Sequence, residues 1–267
     1  MSGPGTLGAI VVAALSGGVV ATLAAAATLR LGAAWISRLV SFAVGALLGA
    51  VFLELLPHAL EEGRAPQVML TVLIGLLAFF LLEKLVLWRH AHGHEAHTDD
   101  VEESEHDHAM HGHADGGAGR PGLMILIGNA VHSLCDGIVI AASFIADHAL
   151  GVATTLAIVA HAVPQQVGDF AILLHSGFPR RKAFAYNMVA GLATLVGALA
   201  AYFALGGMKE ILPTVLAVAA SSLLYVAVAD LIPSLHRRAE PLETAKQSLA
   251  IGLGLAVIAL AHVALEP

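Results

Sequence analysis

Apolar residues in this chain run in long stretches, not in short alternating segments. A helix needs about 20 mostly apolar residues to cross bilayer hydrocarbon. Eight stretches meet that rule, near 7–29, 33–59, 67–88, 122–146, 150–175, 183–206, 210–235 and 247–265. The breaks carry Gly, Pro and charge, as in Glu61-Glu62-Gly63-Arg64-Ala65-Pro66 and Gly177-Phe178-Pro179-Arg180-Arg181-Lys182. The pattern predicts an all-α integral membrane protein of eight transmembrane helices. Glu83 and Lys84 are expected to mark the interfacial turn after the third span, with the lysine snorkelling.

Composition agrees with the pattern. The 267 residues are 58% hydrophobic and 12% charged, with mean hydropathy +0.82. Soluble domains carry about 25% charged residues, so a soluble fold of this size lacks the polar surface it needs. A net charge of -7 with dispersed Lys and Arg argues against nucleic acid as a partner. The single cysteine, Cys135, excludes an internal disulfide. Residues 1–6 carry no basic segment, so the first apolar stretch reads as a retained span and not a cleaved signal.

Basic residues set an orientation. The loops after the first, third, fifth and seventh spans share one side. That side takes Arg30, Arg38, Lys84, Arg89, Arg120, Arg180, Arg181, Lys182, Arg237, Arg238 and Lys246, against Arg64 and Lys209 on the other. Both termini are expected outside, with the loop over 89–121 in the cytoplasm. That loop holds His90, His92, His94, His97, His106, His108, His111 and His113 among acidic residues. With almost no apolar content it cannot bury a core and is expected to be disordered. Neutral imidazole is a common metal ligand, so the loop is either a solvated linker or a metal-collecting tract of many loose ligands. The second reading is favoured. The Ala-rich, Lys-poor composition hints at a bacterial inner (plasma) membrane.

Polar groups inside the spans carry the chemistry. Ionisable residues at bilayer depth are expensive and by default functional. His132 and Asp136 are four apart in the fourth span, hence on one helical face. His161, Gln165 and Asp169 repeat that spacing in the fifth. Two neighbouring helices would thus bring imidazole nitrogens, the Asp136 carboxylate and the Gln165 carbonyl to one point. That mixed set suits borderline divalent ions such as zinc, iron, manganese or cadmium. It does not suit calcium or magnesium, which favour oxygen alone. Cys135 is a weaker candidate ligand, and Asp169 a stepping site one turn further on. Pro164 is expected to loosen the helix beside the site and free a carbonyl.

An internal echo adds a path. Glu54-Leu55-Leu56-Pro57 in the second span matches Asp230-Leu231-Ile232-Pro233 in the seventh, and the two spans run in opposite directions. One element used twice with inverted orientation is a mark of inverted-repeat transporters. Glu54 and His58 then lie toward the outside, and Asp230 and His236 toward the cytoplasm. The chain is read as one transmembrane transport domain over 1–267, with 89–121 as a loop within it.

These strings resemble the ZIP (Zrt/Irt-like) family of divalent-metal transporters. The fourth span looks like its HNxxDG element, here His132, Ser133, Asp136 and Gly137. The fifth looks like its HExPHExGD element, here His161, Ala162, Pro164, Gln165, Gln166, Gly168 and Asp169. The strings around Glu54 and Asp230 look like the second- and seventh-helix elements. The resemblance implies eight helices with outside termini, metal movement toward the cytoplasm, and a homodimer with elevator-like motion. Zinc is the first expectation for the ion, which is cargo and not a cofactor. Members with two adjacent metal sites use Asn and acidic side chains for the second, where this chain has Ser133, Ala162, Gln165 and Thr194. None carries a carboxylate, so a single midplane site is expected, formally +1 when a divalent ion is bound.

Two other classes compete with this reading. An intramembrane metalloprotease needs His-Glu-x-x-His, which occurs nowhere in the chain, so no enzyme activity is expected. A non-transporting metal sensor with a degenerate transporter site is the alternative reading.

Overall fold

The computed structural model describes residues 4–28, 33–91, 120–236 and 240–265. Among them no strand occurs, and eight helices are long and apolar enough to cross a membrane. They run Gly5–Ala27, Trp35–Glu62, Ala65–Leu82, Leu126–Ala146, His148–His175, Arg180–Leu205, Leu212–Leu235 and Pro241–Leu265, and are named here the first to eighth spans. The expectation from the apolar pattern holds for all eight. One boundary differs: no turn marks Glu83 and Lys84. The helix that forms the third span continues unbroken to Ala91, and Lys84 instead lies 5.8 Å from the Phe80 ring. An α-helix satisfies its own backbone polar groups, so nothing in those residues obliges it to stop at a bilayer surface.

The turn between the fourth and fifth spans arises from one residue. Asp147 has extended backbone, and its carboxylate accepts hydrogen bonds from the amides of Ala149 (2.7 Å) and Leu150 (3.0 Å). This N-cap satisfies donors that a helix start leaves orphaned. The fifth span ends on Gly177 at φ +84°, with Phe178 N–H donating to the Leu173 carbonyl and Gly177 N–H to that of Leu174. That is a Schellman stop, and Pro179 after it prevents the helix from continuing.

The buried core comprises Leu47, Leu55, Ile140, Ile158, Leu216 and Leu223 among others. Small residues set the helix spacing. The fourth and sixth spans approach through Gly137 and Gly197: a Cβ on Gly137 would collide with the Thr194 carbonyl, and one on Gly197 with the Leu134 carbonyl. Gly45 and Gly254 do the same for the second and eighth spans, against the carbonyls of Ile251 and Phe42. Between helices in lipid, close packing must supply what the hydrophobic effect does not. Large apolar side chains of the third and eighth spans, including Leu70, Leu73, Leu81, Leu249 and Leu260, face outward, as lipid contact requires.

Three spans contain π-helical turns, Ser16–Val20, Ala50–Leu55 and Val226–Leu231. The last two hold Glu54 and Asp230 and are succeeded by Pro57 and Pro233. Proline removes a donor and crowds the carbonyl four residues before it, and a wider turn accommodates both. The sequence echo is therefore also a structural one. By contrast, the helix of the fifth span runs on through Pro164, which has no N–H to offer the Ala160 carbonyl.

Gly197→Leu should lower the thermal unfolding midpoint of the purified protein, since overpacking typically costs about 1–3 kcal/mol. Gly252→Leu, whose Cβ would meet nothing within 4 Å, should leave it unchanged or higher. Equal midpoints would refute the close-approach argument.

Candidate metal centre

The fourth and fifth spans pack side by side and turn their polar faces toward each other. His132 Nε2 lies 3.2 Å from His161 Nε2. Asp136 Oδ2 lies 3.6 Å from the first and 3.5 Å from the second. The three atoms form a nearly regular triangle. Zinc binds nitrogen and oxygen at about 2.0–2.2 Å in tetrahedral geometry, which puts neighbouring donors about 3.4 Å apart. The triangle thus has the edge lengths of one face of such a tetrahedron. His161, Asp136 and Ser133 are buried, while the His132 side chain retains 24% exposure. His161 Nδ1 lies 3.2 Å from the Ala157 carbonyl, which fixes the ring and leaves Nε2 toward the triangle.

Gln165 comes beside the group and is tied by its amide nitrogen, which donates to Asn129 Oδ1 at 3.3 Å. That bond commits the nitrogen, so the carbonyl is the Gln165 atom left to serve as a ligand. Asn129 also accepts from Ser133 Oγ at 3.5 Å, and its own Nδ2 is buried with no hydrogen-bond partner among the described residues. Sequence reasoning missed Asn129. The signal was there: it lies four residues before Ser133 and seven before Asp136, on the same helical face. At the second-site positions, Ala162 and Thr194 are buried and Ser133 is engaged with Asn129, so no carboxylate stands there. Cys135, the weaker candidate ligand, points elsewhere. It lines an apolar pocket with Phe79, Val215 and Ser222, between the third, fourth and seventh spans.

The path residues are distributed along the bundle. Asp169 lies two turns beyond His161 and its Oδ2 is buried with no hydrogen-bond partner among the described residues. Asp230 is exposed on the seventh span. His236 ends the seventh span, also exposed. Glu54 is buried and pairs with His262 of the eighth span, Nδ1 to Oε1 at 3.1 Å. His58 lines a cavity with them. His262 was not foreseen, because no spacing relates it to Glu54. His90 lies in the described helix that ends at Ala91, with nothing described of its side chain, and the other seven loop histidines lie outside the described residues.

Known proteins are similar to this chain over most of its length. Residues 5–120 and 87–262 match the family model described as ZIP Zinc transporter. Zinc transporter ZIP13 of Pongo abelii is 33% identical over 244 residues, covering 86% of this chain and 67% of that protein. Zinc transporter SLC39A7 of Mus musculus is 30% identical over 83% of this chain and 61% of its own length. Zinc transporter ZIP4 of Homo sapiens is 31% identical over 75% of this chain but 39% of its own length.

If Cys135 faces the apolar pocket, Cys135→Ala should leave cadmium affinity within about twofold, and X-ray absorption of the cadmium-loaded protein should contain no cadmium–sulfur scattering. A sulfur neighbour would return Cys135 to the ligand set.

Proposed function

The chain belongs to the ZIP family of integral membrane proteins, and on that premise we propose that it carries divalent transition-metal ions, zinc first, toward the cytoplasm through a single midplane site. The observation that carries this reading is the His132–Asp136–His161 triangle, buried between two membrane-spanning helices with edges of 3.2 to 3.6 Å. His132, Asp136 and His161 hold the ion, and the Gln165 carbonyl or a water takes the fourth corner. With one carboxylate, the loaded site keeps a formal charge of +1. Weak neutralisation favours release, which a carrier needs as much as binding.

Glu54 and His58 receive the ion from outside, and Asp169, Asp230 and His236 pass it inward. The charge bias of the loops and the inverted pair of π turns before Pro57 and Pro233 support this direction. The histidines of 90–113 add local metal-binding capacity on the cytoplasmic side and modulate transport without performing it. The functional unit in this reading is a homodimer, as the family resemblance implies.

His132→Ala and His161→Ala should each abolish saturable zinc uptake by proteoliposomes, a loss beyond the roughly 10–100-fold typical of second-shell changes. Near-normal uptake in both would sink the central assignment. In a Cys135→Ala background, a cysteine at position 58 should be labelled from outside and one at 236 from the cytoplasm. The reverse pattern would invert the path.

A further inference from the structure

The turn of the fourth span that carries Asp136 is packed on two sides and open on a third. Gly137 and the Leu134 carbonyl meet the sixth span at backbone distance. His132 and Asp136 face the fifth span across the central triangle. Cys135 and Val139 look instead onto a pocket of about 110 Å³, bounded by Phe79 of the third span and by Val218, Ala219 and Ser222 of the seventh. A void leaves its lining without contacts on one side, and this lining begins at Cys135, directly before Asp136.

Lining, size and depth together say what fills the pocket. A buried water needs about two to four polar partners. The wall offers little beyond the Ser222 hydroxyl, since the Cys135 thiol behaves as a small hydrophobe. Drug-sized ligands occupy about 300–1,000 Å³, and an apolar cavity of about 150 Å³ takes benzene. A volume near 110 Å³ therefore admits a slender hydrocarbon segment and not a fused ring system. The pocket opens outward: Val218 is 43% exposed and Phe79 and Cys135 are half-buried, while Val139, Ala219 and Ser222 form its floor. Cys135 lies eleven residues before Ala146 at the end of the fourth span, about 16 Å along its axis. Bilayer hydrocarbon is about 30 Å thick, so the mouth sits near its middle, where acyl chains end.

We propose that the pocket between the third, fourth and seventh spans binds the terminal segment of one lipid acyl chain, and that this chain braces the turn that presents Asp136. Binding of the chain is independent of the transport reading above. The bracing of Asp136 as a metal ligand rests on it.

The test uses the full chain in detergent with phosphatidylcholine that carries a diazirine near its acyl terminus. The sample is diluted stepwise into lipid-free detergent, illuminated, and mapped by peptide mass spectrometry. Labels at Phe79, Val139 and Ala219 should persist after those at Leu73 and Leu249, exposed on the outer faces of the third and eighth spans, have fallen about tenfold. Ala219→Leu, which fills the pocket, should remove the pocket labels and leave the outer ones. If that variant fails to fold, butyl methanethiosulfonate on Cys135, the sole thiol of the chain, fills the pocket of the folded protein with the same expected result. Pocket labels that fall in step with Leu73, that survive filling, or that never form because a second copy covers the pocket overturn the proposal. The brace is read from zinc affinity, taken as the binding that His161→Ala lacks. Lipid removal should weaken it about tenfold in the wild type and less than about twofold in Ala219→Leu. Equal wild-type affinity with and without lipid overturns the brace, while the labels still report the bound chain. Undiminished zinc binding by His161→Ala would instead refute the central site, and the labels would still decide the pocket.

Discussion

Bilayer hydrocarbon offers no partner to a peptide group or a charge, so each one has to be satisfied within the protein. Most features of this chain answer that constraint. Backbone groups close into helices, and the connections at Asp147 and Gly177 cap their own ends. Polar side chains at bilayer depth face each other across helix contacts: Asp136 between two imidazoles, Glu54 against His262, and Asn187 donating to the Gln166 carbonyl at 3.0 Å. Glycines let the second and eighth spans, and the fourth and sixth, bring their backbones close together.

The central triangle adds a tension of its own. Two ring nitrogens 3.2 Å apart share at most one proton between them. A metal ion at the proposed site would remove the conflict by taking both lone pairs and the carboxylate together. A second carboxylate would deepen the well and slow the ion's escape. In the proposed site, neutral residues at Gln165, Ser133 and Thr194 would leave the well shallow, and Asn129 accepts from the Gln165 amide and the Ser133 hydroxyl.

The spans and the central donors were legible in the sequence because both depend on local rules. Apolar length fixes a span, and a spacing of four fixes a shared face. Relations between distant helices were not legible. Glu54 and His262 are 208 positions apart, and packing of the second span against the eighth at Gly45, Gly49 and Gly254 brings them together. The direction of Cys135 depends on how the fourth span is rotated against the third and seventh. Pro164 sits inside a continuous helix. A proline costs one hydrogen bond and crowds one carbonyl, and neighbouring helices can absorb that strain without a visible break. Asn129 was within reach of the spacing rule but lay outside the strings that drew attention.

The π turns change how the second span must be counted. A turn closed five residues on, and not four, holds one residue more than an α turn, so the helix beyond it lags by about 100° of rotation. Gly45 and Gly49 meet the eighth span before the turn at Ala50–Leu55, and Pro57 and His58 line the cavity after it. A helical wheel drawn straight through that segment assigns the two halves to the wrong faces. Loss of a single residue there would leave the hydropathy profile almost untouched. It would still swing one half of the span away from its neighbours, so those six positions are constrained in number as well as in kind.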